Sequence, residues 1–284
     1  MRIAEAREAA HQIRAMCTAV FLARGEGHLA SSLSVAEVIA ACYWGFLRID
    51  PSRPQAEDRD RFVLSKAHAS LAYYCALSLR GFFPSSWLWD YGSSGGKLPL
   101  EPLPSATPGV DIPTGPLGTG LAKAVGVAIG LRRRSSAARV VVVLGDGEAQ
   151  KGQVWEAVAY AAHLGLGNMT AIVDRNGRQL DGPTDSVTSV RPAAMFAACG
   201  WKVMACNGHS PAGLIRRLHH PDSLGRPRVI IARTVKGKGI PSLERNPDHH
   251  YYRATLDNIE VPSHLARAVR AFQAAQAGAI DGGP

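Results

Sequence analysis

Between Leu121 and Thr234 short apolar runs alternate with helical patterns, and that alternation constrains the fold more than any other feature of the chain. The spacing predicts helices at 121–134, 153–164, 192–198 and 211–218, and strands at 139–144, 170–174, 202–206 and 228–234. Strands that alternate with helices form a parallel sheet covered on both faces. The composition of the runs agrees, because Val140-Val141-Val142-Val143-Leu144 and Val229-Ile230-Ile231-Ala232 are continuously apolar, as strands buried on both faces must be. The expected fold class is therefore α/β, an open and mainly parallel sheet with helices on both sides.

The flanking segments are predicted as helices too. Ile3 to Arg24 and Val35 to Leu47 carry helical periodicity; Ser34 stands as N-cap of the second with Glu37 three residues on, and Gly25 to Ser32 is the loop between them. A third helix is expected from Ser65 to Arg80. The Gly, Ser and Pro-rich stretch from Gly92 to Pro116 reads as a long loop, the kind that usually serves function. A last helix spans Ser263 to Gln276. No internal repeat is visible, so residues 1–276 are expected to form one domain and 277–284 a flexible tail.

With 284 residues, 46% of them apolar, the chain is long enough for a large buried core. Its longest apolar runs fall far short of the roughly 20 residues that cross a bilayer. Charged residues interrupt the first 24 positions, which excludes a signal-peptide core; the expectation is a cytoplasmic protein without a membrane segment. Five cysteines without C-x-x-C spacing are expected to be reduced core residues. A formal net charge of +9 favours anionic ligands. The arginine clusters close helices rather than forming a basic stripe interleaved with aromatics, so nucleic acid is not an expected partner.

In an open parallel sheet the ligand lies beyond the carboxyl ends of the strands. The run ending at Leu144 continues as Gly145-Asp146-Gly147-Glu148, and the next strand ends in Asp174-Arg175-Asn176-Gly177. Glycines there let a backbone approach an anion at a helix start. A carboxylate from Asp146 and an amide oxygen from Asn176, joined by a backbone carbonyl and two phosphate oxygens, make an oxygen-only site suited to Mg²⁺. Two other readings fail by counting. A dinucleotide fingerprint starting at Gly145 needs glycine where Gln150 stands, and the nearest approach to a P-loop, Gly92 to Lys97, is one residue short. A plain strand-to-helix turn with a solvated aspartate is the bland alternative.

Gly145-Asp146-Gly147 with Asn176 thirty residues on resembles the signature of thiamine diphosphate enzymes, and within them the chain is similar to the transketolase family. The likeness rests on Gly27-His28, Arg59-Asp60-Arg61-Phe62-Val63-Leu64-Ser65-Lys66-Ala67-His68, Thr107-Pro108-Gly109-Val110-Asp111 and Gly115-Pro116-Leu117-Gly118-Thr119-Gly120. It continues through Gly145 to Gln150, Asp181-Gly182-Pro183-Thr184-Asp185 and Thr234-Val235-Lys236-Gly237-Lys238-Gly239. The resemblance implies a diphosphate-binding domain in which Asp146, Asn176 and the carbonyl of Arg178 ligate Mg²⁺, with Ca²⁺ or Mn²⁺ as substitutes. Gly147 and Glu148 lie in the cofactor motif, and Gly115 and Leu117 match backbone positions beneath the aminopyrimidine ring. His68 and His250 match histidines that approach the diphosphate. His28 matches one that faces the reacting carbons, so His28, His68 and His250 are the candidate catalytic side chains.

The family also carries a pyrimidine-binding domain whose glutamate activates the cofactor, and nothing here matches it. The resemblance therefore implies the N-terminal subunit of a two-component transketolase, completed by a C-terminal subunit in a heterotetramer of two of each. Such an enzyme moves a two-carbon ketol unit from a ketose to an aldose, with sugar phosphates or related C2 donors as substrates. The alternative is a specialised pathway in which a glycolyl or acetyl unit goes to an unusual sugar, a lipoyl arm or a carrier protein. A noncatalytic supporting role is disfavoured by the intact Asp146 and Asn176. Departures from the family pattern are Ala30-Ser31 and Ala67 for glycines, Lys151 for a glutamate of an acidic cluster that keeps Glu156, and Glu101 where a histidine usually meets the donor.

Overall fold

In the computed structural model, which describes the chain except for Met1, Asp181, 247–249, 255–258 and 282–284, the first half folds as α1 (Arg2–Arg24), β1 (Glu26–Gly27), α2 (Leu29–Ser34), α3 (Ala36–Gly45), β2 (Arg61–Leu64) and α4 (Ser70–Leu79). The alternating part comes next as α5 (Thr119–Arg133), β3 (Val140–Gly145), α6 (Gly152–His163) and β4 (Met169–Arg175), then β5 (Arg178–Gln179), β6 (Gly182–Pro183), α7 (Thr184–Val187) and α8 (Pro192–Ala198). β7 (Lys202–Asn207), α9 (Pro211–Leu218), β8 (Arg228–Arg233), α10 (Pro241–Arg245), β9 (Tyr252–Arg253) and α11 (Ser263–Asp281) complete it.

Five strands form one sheet in the order β2-β3-β4-β8-β7, and every pairing is parallel. Alternate residues of each strand enter different cores. Val141, Val143, Ile172 and Ile230 pack with α1 to α4 and α9, whereas Val140, Val142, Leu144, Ala171 and Val229 pack with α5, α6 and α8. The α/β class is thereby confirmed, and the apolar runs are continuous because both faces are covered.

Several expectations need correction. Residues 29–32 of the expected loop belong to α2, and Ser34 caps nothing. Its hydroxyl instead donates to Asp174 (2.8 Å), and the helix after it starts from Val35 without a side-chain cap. Ser65 and Lys66 precede the helix predicted to start there; they continue from β2, a four-residue strand that the periodicity did not reveal. α11 runs on past Gln276 to Asp281, through most of the segment expected as a tail, and 282–284 lie outside the described residues.

The edge strand β2 is short but firmly anchored. Asp60, fully buried, accepts hydrogen bonds from the Arg48 and Arg139 backbone N–H groups at 2.8 Å. It also ion-pairs with the Arg139 guanidinium at 2.6 Å and that of Arg48 at 3.0 Å. One carboxylate thus ties the start of β2 to the start of β3.

Candidate functional site

The site is assembled just past the carboxyl ends of four strands. After β2 the chain places Lys66 and His68, after β3 Asp146 to Glu148, after β4 Asn176 to Arg178, and after β8 Lys236. With Leu117 and His250 these residues, Gly177 excepted, line one cavity of about 410 Å³. Eight of the residues that the motifs single out meet there: His68, Leu117, Asp146, Gly147, Glu148, Asn176, Arg178 and His250.

Asp146 is held by backbone donors. The N–H of Gly147 donates to its Oδ1 (3.0 Å) and that of Gly177 to its Oδ2 (2.6 Å). Burial, then the charge of nearby Asp174, pushes its pKa up to about 6 despite those bonds. Asn176 is oriented from both ends: Nδ2 donates to Asp174 Oδ2 (3.2 Å), and Oδ1 accepts from the Arg178 N–H (3.0 Å). Beneath them Asp174, fully buried, pairs with the Lys66 ammonium at 2.5 Å. Asp174 also accepts from the hydroxyls of Ser34 and Thr234. Lys66 and its hydroxyl partners hold its carboxyl below the ordinary range although burial alone would raise it.

These residues fit a divalent cation bound to a diphosphate. A carboxylate whose pKa is raised by burial and a neighbouring carboxylate is the setting a cation relieves, and the donors are hard oxygens. Gly147 provides the cradle, since a Cβ there would come within 2.8 Å of the Gln179 Cβ. Among the described residues no group of three or more His, Cys, Asp or Glu is placed to hold a metal ion by itself.

Glu148 is a strut as well as a wall. Its Oε1 accepts from Gly118 N–H (2.8 Å) and from the Ser65 hydroxyl, and its Oε2 from Gly145 N–H (3.0 Å). It thereby joins the ends of β2 and β3 to the loop Gly115 to Gly118. Gly118 adopts a φ of +91° at the start of α5, a conformation that suits glycine.

The three histidines converge. Ring centroids lie 4.9 Å apart for His28 and His250, 4.9 Å for His68 and His250, and 5.7 Å for His28 and His68. The two-residue pairing of β1 with β9, which sets Gly27 opposite Tyr252, brings His28 to His250. Burial, then Lys236, lowers the His28 pKa; burial and neighbouring cations carry His68 well below the ordinary value. His250 is lowered to about 4, again chiefly by burial. All three imidazoles are neutral at neutral pH, able to donate and accept hydrogen bonds but not to supply charge.

Three predicted residues stand beside the cavity rather than in its wall: His28, Gly115 and Glu101. Gly115 and Glu101 pack on each other so closely that a methyl on Gly115 would overlap the Glu101 carboxylate. The loop before Glu101 is fixed to α4, where the Tyr74 hydroxyl donates to the Pro99 carbonyl (2.9 Å) and Ser70 to that of Leu100 (2.6 Å). Lys151 sits exposed at the cavity rim, and Glu156 is exposed on α6. Of the quoted motif residues, Asp181 lies outside the described residues.

Sequence reasoning assigned no role to Lys66, Asp174 and Lys236. Each had a signal: Lys66 two residues before His68, Asp174 as the charged end of an apolar strand, and Lys236 between Thr234 and two glycines. A residue type next to a motif does not reveal that it faces the same cavity.

Known proteins resemble this chain in sequence and fold. Residues 5–273 match the family model described as transketolase, thiamine diphosphate binding domain. An apulose-4-phosphate transketolase subunit of Actinobacillus succinogenes is 36% identical over 236 residues, covering 83% of this chain and 86% of that protein. The 6-deoxy-6-sulfo-D-fructose transketolase subunit SqwG of a Clostridium species is 36% identical over 233 residues, covering 81% and 85%. The crystal structure of transketolase from Campylobacter jejuni superposes with a TM-score of 0.84 at 27% identity, over 99% of this chain and 48% of that one. The chain thus spans about half the length of that transketolase.

Proposed function

The chain belongs to the transketolase family, as a thiamine diphosphate-binding domain, and on that premise we propose that it is the diphosphate-binding subunit of a two-component transketolase that moves a two-carbon ketol unit from a ketose to an aldose. The observation that carries the proposal is the meeting of Asp146, Asn176 and Gly147 in one cavity with His68 and His250. Both subunit relatives match this chain over more than four fifths of their own length, which supports a partner subunit that completes the site. The metal we assign is Mg²⁺, held by Asp146, Asn176 and the Arg178 carbonyl.

Thiamine diphosphate, when bound, supplies the nucleophilic carbon that takes up and hands on the two-carbon unit. This chain's own residues bind and orient. Asp146 and Asn176 face the cation, Gly147 leaves room for the diphosphate, and Glu148 fixes the Gly115 to Gly118 loop. His28, neutral and beside the other two histidines, is placed to donate or accept a hydrogen bond at a substrate hydroxyl. Because half of the pocket comes from the partner in this reading, the highly purified chain alone should show no ketol transfer. Adding the partner subunit should restore it; substantial transfer by the chain alone contradicts the two-component reading.

A second reading is a specialised donor or acceptor. The observation in its favour is the Glu101 carboxylate against Gly115, together with two relatives whose names specify unusual sugars. An ionised carboxylate accepts hydrogen bonds and repels a phosphate where a histidine would donate.

A further inference from the structure

Next to Arg178, on the same two-residue strand, stands Gln179, a side chain without a role so far. It lines the cavity together with Asp146, Gly147 and Asn176. Its place is fixed from several sides. β5 pairs antiparallel with β6, setting Gln179 opposite Gly182 and Arg178 opposite Pro183. The hairpin is tied at its base, where the Thr184 N–H donates to the Gly177 carbonyl at 3.1 Å and Gln150 Nε2 to the Thr184 carbonyl at 2.9 Å. Gln179 also packs on Gly147: a methyl on that glycine would meet the Gln179 Cβ at 2.8 Å and its Oε1 at 3.4 Å. The carboxamide oxygen therefore lies beside the Gly147 cradle, in the wall that also carries Asp146.

That oxygen is unsatisfied. The neighbouring side-chain oxygens already accept hydrogen bonds: those of Asp146 from Gly147 and Gly177, those of Glu148 from Gly118, Ser65 and Gly145, and that of Asn176 from Arg178. Gln179 Oε1 is shut off from solvent and, among the described residues, has no hydrogen-bond partner. A buried acceptor without a donor is destabilising, and in a binding cavity the ligand can bring the donor. Diphosphate oxygens are chiefly acceptors, which leaves the metal as the source. Asp146, Asn176, the Arg178 carbonyl and two phosphate oxygens fill all but one position of an octahedral Mg²⁺. The ion parts with water reluctantly, so the last position keeps a water. Its charge makes that water a strong hydrogen-bond donor.

We propose that Gln179 is a positioning residue for the metal, its Oε1 accepting a hydrogen bond from the water that completes the coordination of Mg²⁺. This rests on the reading of the cavity as a metal-diphosphate site. Two measurements on the full-length chain test it: calorimetric titration with inorganic diphosphate in Mg²⁺, and denaturant unfolding of the unliganded chain. Gln179→Leu keeps the bulk without the acceptor and should weaken diphosphate binding about fivefold or more. The same variant should leave the unliganded chain as stable as wild type or more so, because the oxygen it removes has no partner there. Gln179→Glu keeps an acceptor at the same place and should bind diphosphate more tightly than Gln179→Leu.

Wild-type affinity in Gln179→Leu overturns the proposal. So does Gln179→Glu binding more weakly than Gln179→Leu, since a carboxylate is worse than an apolar group only where the amide nitrogen meets a phosphate. A loss of stability in unliganded Gln179→Leu would make Gln179 a strut of the β5–β6 hairpin and likewise overturns it. A wild-type chain that ignores inorganic diphosphate in Mg²⁺ contradicts the underlying reading of the cavity, and the proposal falls with it.

Discussion

Asp146 is under two opposed demands. In the proposed function it is charged and holds a cation, yet burial and Asp174 raise its pKa to about 6, so a positive charge entering the niche would favour the ionised form. Replacing Asp146 or Asn176 by alanine should abolish metal-dependent cofactor binding while leaving the fold intact, since both lie past strand ends rather than filling a core. Affinities of the two variants for cofactor in Mg²⁺, measured by calorimetry, check this; unchanged values in both would place the metal elsewhere. At Glu101 the demand concerns the substrate. If its carboxylate on Gly115 repels a phosphorylated donor, Glu101→His should raise kcat/KM for ordinary ketose phosphates by roughly 5- to 150-fold, the worth of about 1 to 3 kcal/mol for one polar contact. Kinetics with a phosphorylated donor and with pyruvate decide it, because equal effects on both would make Glu101 a bystander. At this scale the motif Gly145-Asp146-Gly147 with Asn176 was legible from its place at two strand ends together with the family resemblance. The cluster in which Glu37 accepts from Arg14 at 2.8 and 2.9 Å and lies 2.9 Å from His209 was not, because these residues are far apart in sequence and meet only through packing.

Among the elements, the central strands announce themselves by unbroken apolar runs, and β2 does not. Arg61–Leu64 is four residues long and comes directly after Arg59 and Asp60, so periodicity has nothing to count. The cause of this strand is tertiary: Asp60 is clamped by Arg139 and Arg48. Ser34 misled for a related reason, as its hydroxyl serves Asp174 across the molecule instead of its own helix. The Asp60 clamp predicts a pH effect. Burial opposes its charge, but Arg139 and Arg48 hold its pKa below the ordinary value. A carboxyl lowered by folding stabilises at pH above its unfolded pKa, near 4, and that stability is lost as pH falls through the lower folded value. Asp60→Ala should therefore destabilise the chain by about 1 to 3 kcal/mol near neutral pH, leaving the Arg48 and Arg139 backbone N–H groups without their acceptor. Denaturant unfolding at several pH values should show this deficit shrinking in acid; a deficit independent of pH would mean that Asp60 acts through packing alone.

For the molecule as a whole, the sheet sets the site at one edge, where four of five strand ends converge on one cavity. Among the described residues no helix is long and apolar enough to cross a membrane. The net charge of +9 adds a long-range pull on anionic ligands that salt weakens. Everything proposed for the molecule depends on this cavity binding thiamine diphosphate by its diphosphate through a divalent cation. Titration calorimetry of the full-length chain with thiamine diphosphate, with and without Mg²⁺, tests that most directly. Binding should require Mg²⁺, be displaced by inorganic diphosphate and be absent for thiamine without its phosphates. Equal binding without metal, or equal binding of unphosphorylated thiamine, would contradict it.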